Sequence, residues 1–207
     1  MYVPAAHAVT EVSKLHDFMR RYSFATLITS GPSGLTASHL PLLLDPDAKP
    51  GGCLFGHMAR ANSQWRDVRG EVLAVFSGPH TYISPSWYEE DATVPTWNYA
   101  VVHAYGTFQT VEDRASLLDI LRRSVQTYES PRPEPWPFAE SAPHVGRMLG
   151  AIVGFRIAIC RLEGKWKLSQ NHSDERRVRV IRALESRDDD DSRTIAVMMN
   201  EEMAGGS

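Results

Sequence analysis

The sequence predicts a mainly β fold, an antiparallel barrel or sandwich with flanking helices. Short apolar runs rich in β-forming residues recur along the chain, and turns that contain glycine or proline separate most of them. Most helical patterns come late in the chain, and regular alternation of strands and helices does not occur. These observations together predict about seven strands, joined largely by hairpins.

The first third of the chain predicts a helix, a hairpin and a further strand. Apolar residues recur at helical spacing over residues 10–22, and Gly31–Gly34 has the composition of a tight turn. Asn62 is placed to cap a short helix that follows the third strand. The predicted strands are 23–30, 35–45 and 53–59, and the short helix is 62–68.

The rest of the chain predicts long strands with helices between and after them. Ser84 and Pro85 have the pattern of a helix start, and residues 113–129 give the clearest helix in the chain. Residues 130–143 contain five prolines, which predict a surface loop or strap. Glu163 and Gly164 predict a turn between the last two strands. The strands are predicted at 71–78, 80–84, 96–111, 151–164 and 165–171, and the last helices at 174–186 and 192–203.

Composition and charge indicate a globular protein of one domain, or of one domain with an appendage. The chain has 207 residues and a net charge of −3, which argues against a chain-wide electrostatic grip on nucleic acid. The chain start lacks signal-peptide character and no apolar stretch is long enough to cross a membrane, so we expect a cytoplasmic protein. Cys53 and Cys160 lie in apolar runs and predict buried free thiols, and the scattered histidines predict no metal site.

Two polar interruptions in the first half of the chain are candidates for ligand binding. In "ASHLPLLLD", Pro41 indicates an edge, a bulge or a strand that faces a ligand, while His39 is either a ligand contact or a satisfied core histidine. In "FGHMARANSQW", His57, Arg60 and Asn62 stand where a strand gives way to a helix start, which is a typical anion site. An ordinary capped helix with a surface arginine is the alternative.

Two later segments combine aromatic or polar side chains. Residues 82–106, "YISPSWYEEDATVPTWNYAVVHAYG", carry two tryptophans and four tyrosines around an acidic loop. These rings can wall an aromatic ligand, form an obligate interface or pack in the core. The run "KLSQN", Lys167–Asn171, is suited to pair with the polar edge of a ligand or to cap the helix that follows.

Taken together, the four segments resemble the PaiB family, FMN-binding negative transcriptional regulators. The resemblance runs in order from "YVP" at residue 2 to the helix after Asn171, and "SPSWY" and "VPTWNY" at their spacing are its most specific part. It implies an FMN-binding split β-barrel of the pyridoxamine-phosphate-oxidase type over residues 1–187, with an acidic break and a helical tail over 188–207. It also implies a homodimer with FMN sites at the subunit interface.

The resemblance further implies which residues bind the cofactor, and it assigns no catalytic residue and no metal ligand. The strand segment that would run along the flavin is Ser38, His39, Leu40 and Pro41. The residues implied at the phosphate are His57, Arg60 and Asn62. The residues implied to line and close the pocket, the last three from the same or the second subunit, are Trp97, Asn98, Lys167, Gln170 and Asn171.

Three functional hypotheses stay open at the level of sequence. The first is a regulator that senses redox state or a small ligand, and the second is an FMN-dependent oxidoreductase of the pyridoxamine-phosphate-oxidase or flavin-reductase type. The third is a haem-handling protein, which is weakened because no single histidine stands out as an axial ligand. Arg176, Arg179 and Arg182 recur on one side of a predicted helix and permit a DNA contact, with a solvated helix face as the alternative.

Overall fold

The computed structural model describes residues 1–48, 51–88, 94–140 and 142–205. The acidic loop predicted within residues 82–106 falls at 89–93 and lies outside the described residues.

Eight strands form one mainly antiparallel sheet, which confirms the predicted fold class. The strand order is β3-β2-β6-β7-β8-β5-β4, and β1 pairs with β8. The strands β2 and β3 form the predicted hairpin, with Gly31 opposite Gly34 and Gly34 at a φ of 99° that favours glycine. The strands are β1 (Ala8–Val9), β2 (Phe24–Gly31), β3 (Gly34–Pro41), β4 (Leu43–Asp45), β5 (Cys53–Ala59), β6 (Arg69–Ile83), β7 (Thr96–Val111) and β8 (Ile152–Lys167).

Side-chain caps mark the start of two helices, whereas two shorter helices, Gln64–Asp67 and Pro143–Leu149, begin without one. Asp113 and Ser173 each accept a hydrogen bond from the backbone N–H three residues later, so two of the longer helices start at the residues that follow them. Within the described ranges no helix is long and apolar enough to cross a membrane. The α-helices are α1 (Val12–Arg21), α2 (Gln64–Asp67), α3 (Arg114–Glu129), α4 (Pro143–Leu149), α5 (Asp174–Glu185) and α6 (Asp190–Gly205), and 3₁₀ turns occupy Ala5–His7 and Pro85–Tyr88.

The chain divides into two compact units. The first, which we call the terminal unit, comprises Met1–Leu15, Ser77–Val102 and Glu163–Ser207. The second, the central unit, comprises His16–Phe76 and His103–Leu162. The predicted domain bounds, 1–187 and 188–207, stay a prediction.

Each unit has its own apolar core. In the terminal unit, α5 and α6 bury Val180, Leu184, Ile195 and Met199 together with Tyr88. In the central unit, α3 covers β5 and β7 through the buried side chains Ile120, Phe55 and Val111. A second cluster in the same unit joins α3 to α4, and its buried members are Leu117, Val145 and Leu149.

The predicted turn at Glu163 and Gly164 is wrong, because β8 continues through both residues to Lys167. Gly164 pairs with Val9 on β1, a strand that the sequence did not reveal. A Cβ on Gly164 would lie 2.2 Å from the Leu15 Cδ2 atom, so the glycine permits close packing rather than a chain reversal.

Two smaller predictions also need correction. The acidic run 188–191 is not wholly a break, since α6 begins at Asp190 and Asp189 accepts a hydrogen bond of 2.7 Å from the Ser192 N–H. This bond, with help from Arg187, lowers the pKa of Asp189 to about 2. The thiol of Cys160 is exposed and Cys53 is only half-buried, because both lie on strand faces that the core does not fully cover.

Candidate functional site

The first group of predicted site residues lies in the central unit. We call it the strand-turn cluster, and its members are Ser38, His39, Leu40 and Pro41 on β3, His57 on β5, and Arg60 and Asn62 in the turn before α2. Of the three options that Pro41 left open, the structure shows the edge position, since β3 ends the strand order. The end of β3 also approaches β5, because a Cβ on Gly56 would lie 3.0 Å from the Pro41 carbonyl oxygen. The fold therefore brings these two predicted segments together.

A hydrogen bond joins Ser38 and Asn62 directly. The Asn62 Nδ2 atom donates to the Ser38 Oγ atom at 2.9 Å, and the Asn62 Oδ1 atom accepts from the Gln64 N–H at 3.0 Å. The predicted cap is displaced by one residue, since Ser63 is the N-cap of α2 and has no side-chain cap bond, while Asn62 binds the Gln64 N–H from the preceding turn. The hydroxyl hydrogen of Ser38 has no acceptor among the described residues, so it stays free to donate to a ligand.

Gln64 supports this pair from behind, and the sequence did not single it out. Its side chain is 2% exposed, and its Nε2 atom donates to the Leu27 carbonyl, the Thr29 hydroxyl and the Thr36 carbonyl at 3.1 to 3.3 Å. These bonds tie α2 to the β2-β3 hairpin. They also fix the turn that carries Asn62 relative to the strand that carries Ser38.

The Arg60 guanidinium is held by backbone carbonyls. Its Nε atom donates to Gly150 at 2.9 Å and its Nη2 atom to Ile152 at 3.0 Å, while the Arg60 N–H donates to Ala151 at 2.8 Å. Arg60 forms no ion pair with any described carboxylate. It therefore presents a fixed, half-buried positive charge that no other part of the described chain neutralises.

The two histidines of the strand-turn cluster differ in their surroundings. His57 is half-buried, its ring forms no hydrogen bond within the described residues, and burial lowers its pKa. His39 is exposed on the edge strand, where its Nδ1 atom lies 3.0 Å from the Thr26 hydroxyl. The core-histidine alternative for His39 is therefore wrong, while Leu40 and Pro41 beside it are half-buried.

The second group of predicted site residues lies in the terminal unit. We call it the β8 cluster, and its members are Trp97 and Asn98 on β7, Lys167 at the end of β8, and Gln170 and Asn171 after it. Asn98 is fully buried, and its amide exchanges hydrogen bonds of 3.0 and 3.2 Å with the hydroxyl of Ser169. Ser169 is also buried and has a φ of 63°, a conformation that is unusual for serine.

The fold already uses most polar groups of the β8 cluster. Lys167 donates to the Thr96 hydroxyl and the Trp97 carbonyl, and burial together with Lys165 lowers its pKa. The Gln170 side chain binds the Leu168 N–H and the Trp166 carbonyl, and its Oε1 atom lies 2.8 Å from the His7 ring. The members left accessible to a ligand are Trp97, which is 52% exposed, and Asn171, which is exposed and has no hydrogen-bond partner in the described part of the chain.

An open groove of about 730 Å³ in the central unit contains none of the predicted residues. Its aromatic members are Trp65 and Phe108, one on α2 and one near the end of β7. Trp65 lies in the segment "FGHMARANSQW", but no pattern in the sequence indicates that it lines a groove. The other lining residues are Val68, Gly70, Thr107, Gln109 and Thr110.

The family of the protein follows from its sequence. The family described as "Putative FMN-binding domain" matches residues 1–161. The chain belongs to this family. Both predicted clusters contribute to the matched stretch through Ser38–Pro41, His57, Arg60, Asn62, Trp97 and Asn98, whereas Lys167, Gln170 and Asn171 follow it.

Two relatives match almost the whole chain. "Protease synthase and sporulation protein PAI 2" of Bacillus subtilis is 33% identical over 206 residues, which cover 98% of each protein. The uncharacterized protein AN0679 of Emericella nidulans is 30% identical over an alignment of 243 positions, which spans 97% of each protein. The relationship to PaiB-type proteins that the motifs predicted is therefore confirmed, and FMN is the cofactor that the family binds.

Solved structures share the fold at low sequence identity. The flavocytochrome Anf3 from Azotobacter vinelandii superposes with a TM-score of 0.60 at 12% identity, over 77% of this chain and 68% of its own. The FAD and heme binding protein from Mycobacterium smegmatis gives a TM-score of 0.54 at 13% identity, over 83% and 78% of the two chains. The predicted flavin-binding split barrel is confirmed as the fold.

Proposed function

We propose that this FMN-binding protein is a negative transcriptional regulator whose input is the redox state of the flavin or a small ligand bound beside it. The observation that carries the proposal is the set of donors in the strand-turn cluster that the fold leaves unused. Within the described residues, the Ser38 hydroxyl hydrogen has no acceptor and the Arg60 guanidinium has no ion-pair partner. The His57 ring forms no hydrogen bond to any of these residues. Donors of this kind fit an anionic phosphate.

The donor set fits FMN better than it fits a metal ion or a covalent substrate. The Arg60 guanidinium can only donate, and the Ser38 hydroxyl, whose oxygen accepts from Asn62, keeps its hydrogen to donate to an anion. Within the described residues, no group of three or more metal-ligating side chains occurs. When bound, FMN supplies reversible uptake of electrons at its ring system. The chain's own residues bind its phosphate and fix its position.

The accessible members of the β8 cluster favour a shared site in a homodimer. Trp97 and Asn171 are exposed. In the central unit, the hairpin of β2 and the edge strand β3 carries the apolar side chains Phe24 and Leu35, which are 68% and 79% exposed. Exposed apolar side chains beside an unpaired strand edge are typical of a surface that another chain covers. We propose that two copies associate through this hairpin, and that the accessible Trp97 and Asn171 close the flavin pocket of the partner subunit. Asn98, Lys167 and Gln170 would support them through hydrogen bonds within the terminal unit.

The arginines of α5 give little support to direct DNA binding. The Arg179 Nη1 atom donates to the Tyr88 carbonyl at 2.6 Å, and the Arg176 Nη1 atom lies 3.4 Å from the His172 ring. Arg182 is the exposed member of the three. Arg177, the fourth arginine of α5, is buried and pairs with Asp174 and Glu202. Because three of the four arginines interact within their own unit, the helix is poorly suited to bind DNA phosphates, so we propose that the flavin site carries the regulatory input.

An absorbance spectrum and an FMN titration of the purified protein test the proposal first. We expect flavin bands or saturable binding of about one FMN per chain, and a shift to a dimer in analytical ultracentrifugation. NADPH is then added to the FMN-loaded protein. Flavin that stays oxidised supports a sensor, whereas rapid bleaching with turnover supports the oxidoreductase alternative. A protein that ignores FMN overturns the proposal.

Promoter DNA provides the second arm of the test. We expect binding in a mobility-shift assay to depend on the oxidation state of the flavin. Replacing Arg176, Arg179 and Arg182 together with glutamine is expected to leave that dependence unchanged. Loss of all DNA binding in this variant would show that α5 reads DNA directly.

A further inference from the structure

We propose that the groove walled by Trp65 and Phe108 is a second ligand site, separate from the flavin, that binds a planar aromatic carboxylate. The inference rests on the proposed function, in which a small ligand is one of the two inputs, and it names the class of that ligand. The described residues that line the groove all lie in the central unit, and none of them belongs to the strand-turn cluster. The groove is therefore distinct from the residues proposed to hold FMN.

The two aromatic walls of the groove are held in place by the fold. The Phe108 ring stacks on Phe155 with ring centroids 5.0 Å apart and an interplanar angle of 25°, and Phe155 is fully buried. The Trp65 ring is fixed by a hydrogen bond of 3.2 Å from its Nε1 atom to the Arg60 carbonyl. Rings that are already fixed lose little conformational entropy when a ligand binds, so these walls favour a flat, apolar ring system.

The groove also offers polar side chains that the protein does not use. Thr107, Gln109 and Thr110 line it, and none of their side chains forms a hydrogen bond to a described residue. Two hydroxyls and an amide can donate hydrogen bonds to the oxygens of a carboxylate. An apolar site with a few polar groups is the general character of a small-molecule pocket.

Positive charge at the Trp65 wall favours an anionic ligand. The guanidinium carbons of Arg66 and Arg60 lie 4.7 and 5.9 Å from the centre of the Trp65 ring. Arg66 is exposed and forms no ion pair with a described carboxylate. The neighbouring Asp67 does not line the groove, and its Cβ atom lies 3.1 Å from the position that a Cβ on Gly31 would take. The planar guanidinium of Arg66 can therefore bind a carboxylate through two parallel hydrogen bonds.

Size and charge together define the class of ligand. The groove encloses about 730 Å³, which lies within the range of small-molecule pockets and accommodates a bicyclic aromatic acid. The described lining residues are all uncharged, so the ring system of the ligand is neutral and its charge is confined to the carboxylate. A Cβ added at Gly70 would meet nothing within 4 Å, so this side of the groove is open to an entering ligand.

The groove is linked to the proposed FMN phosphate site through α2 and the turn before it. Trp65 donates to the Arg60 carbonyl, and it directly follows Gln64, whose N–H binds the Asn62 side chain. A ligand that immobilises Trp65 therefore also stabilises the turn that carries Arg60 and Asn62. We expect the aromatic acid and FMN to tighten each other's binding by the same factor, because coupling between two binding sites is reciprocal.

Isothermal titration calorimetry of the FMN-loaded protein with 2-naphthoate tests the site. The alcohol 2-naphthalenemethanol has the same ring system without the charge, so the two compounds separate ring contacts from the contact with Arg66. We expect 2-naphthoate to bind with a Kd below about 1 mM and the alcohol to bind about tenfold more weakly. In a titration of flavin-free protein, saturating 2-naphthoate is expected to lower the Kd of FMN about fivefold.

Variants of the groove and matched controls locate the binding. Gln109→Ala and Arg66→Gln alter exposed side chains, and each is expected to raise the Kd of 2-naphthoate at least about fivefold. Trp65→Leu is expected to raise it about tenfold or more. The controls are Trp136→Leu, on the proline-rich segment outside the groove, and Arg182→Gln, at an exposed position of the terminal unit. Thermal unfolding shows whether each variant is folded at the titration temperature.

The outcomes separate this proposal from the proposed function. Wild-type protein that binds FMN but not 2-naphthoate overturns the groove site alone. So does 2-naphthoate binding that is unchanged in the folded Gln109→Ala and Arg66→Gln variants, or that leaves the Kd of FMN unchanged. Wild-type protein that binds 2-naphthoate but not FMN overturns the proposed function and the coupling that rests on it. Weaker binding in the groove variants alone, together with a lowered Kd of FMN, supports the proposal.

Discussion

Two serine–asparagine pairs, one in each compact unit, look alike in distance and differ in their remaining bonds. In the central unit, the Asn62 amide donates to Ser38 at 2.9 Å, and both side chains are half-buried. In the terminal unit, Asn98 and Ser169 bind each other in both directions at 3.0 and 3.2 Å, and both are buried. In the first pair, the Ser38 hydroxyl hydrogen can still donate to a ligand, whereas in the second pair Asn98 and Ser169 donate to each other.

The difference shows that polar motif residues of the same type can serve different purposes. Asn98, Lys167 and Gln170 satisfy backbone or side-chain groups of the terminal unit. In the central unit, Gln64 forms the corresponding hydrogen bonds to the β2-β3 hairpin, and Gln64 is not a member of the strand-turn cluster. The cluster itself is therefore free to bind a ligand, and changes in the two units should affect different measurements.

The largest effect on stability is expected for Asn98→Ala. Removal of the amide leaves the buried Ser169 hydroxyl without its partner, and we expect the free energy of unfolding to fall by about 3 kcal/mol. Urea unfolding followed by circular dichroism measures it. Asn171→Ala, at an exposed position, is the control with an expected change under about 0.5 kcal/mol. Equal losses of unfolding free energy in the two variants would contradict a stabilising role for the hydrogen bonds between Asn98 and Ser169.

A somewhat smaller loss is expected for Gln64→Leu, at about 2 kcal/mol. Three acceptors on the β2-β3 hairpin lose their donor, but the buried Oε1 atom of Gln64, which has no partner among the described residues, is removed as well. The same urea experiment gives the loss. We also expect weaker FMN binding, because the turn that carries Asn62 loses its anchor. Full FMN affinity in this variant would show that Gln64 does not position the cluster.

A paired substitution, Ser38→Ala and Ser169→Ala, compares the two hydroxyls directly. Ser38→Ala is expected to weaken FMN binding about tenfold and to change the free energy of unfolding by less than about 1 kcal/mol. Ser169→Ala is expected to do the reverse, with lower stability and an FMN Kd within about twofold of the wild type. FMN titration gives the Kd of each variant, and urea unfolding gives its free energy of unfolding. The same changes in FMN Kd and in unfolding free energy in both variants would contradict the difference between the two pairs.

The smallest expected effect concerns the pH dependence of stability through His57. Burial holds the pKa of His57 in the folded protein below its ordinary value of about 6.5, so the unfolded chain binds its proton first as the pH falls. The contribution of the neutral ring is complete above pH 6.5 and is lost as the pH falls below it. Unfolding free energies between about pH 8 and pH 5 should therefore fall less steeply in His57→Gln than in the wild type. Equal slopes in His57→Gln and in the wild type would contradict this prediction.

The strand and helix pattern was predictable where local signals were complete. Strands β5 and β7 occupy the predicted ranges 53–59 and 96–111, because each is bounded by a break in the apolar pattern. Helix α3 follows Asp113, which a sequence reading can recognise as a cap. The error at Gly164 arose because a glycine before a polar residue has the same local signature in a turn and in a closely packed strand.

The candidate site was predictable in part. The motifs "ASHLP" and "FGHMARANSQW" indicated residues that the fold brings together, since Ser38 and Asn62 bind each other across 24 positions. Gln64, Phe108 and Gln109 gave no such signal. A buried glutamine and a groove-lining phenylalanine are recognisable only when their neighbours are known, and those neighbours lie on other strands.

The sequence by itself determined the mainly β class, most element positions, the family and its flavin cofactor, because local periodicity, turn residues and motif order carry that information. The tertiary structure alone decided that β8 runs unbroken through Gly164, that Cys160 is exposed, and which polar side chains form hydrogen bonds within the protein. The reason is that a hydrogen-bond partner, such as the one 71 positions from Asn98, is chosen by strand pairing and not by neighbours along the chain.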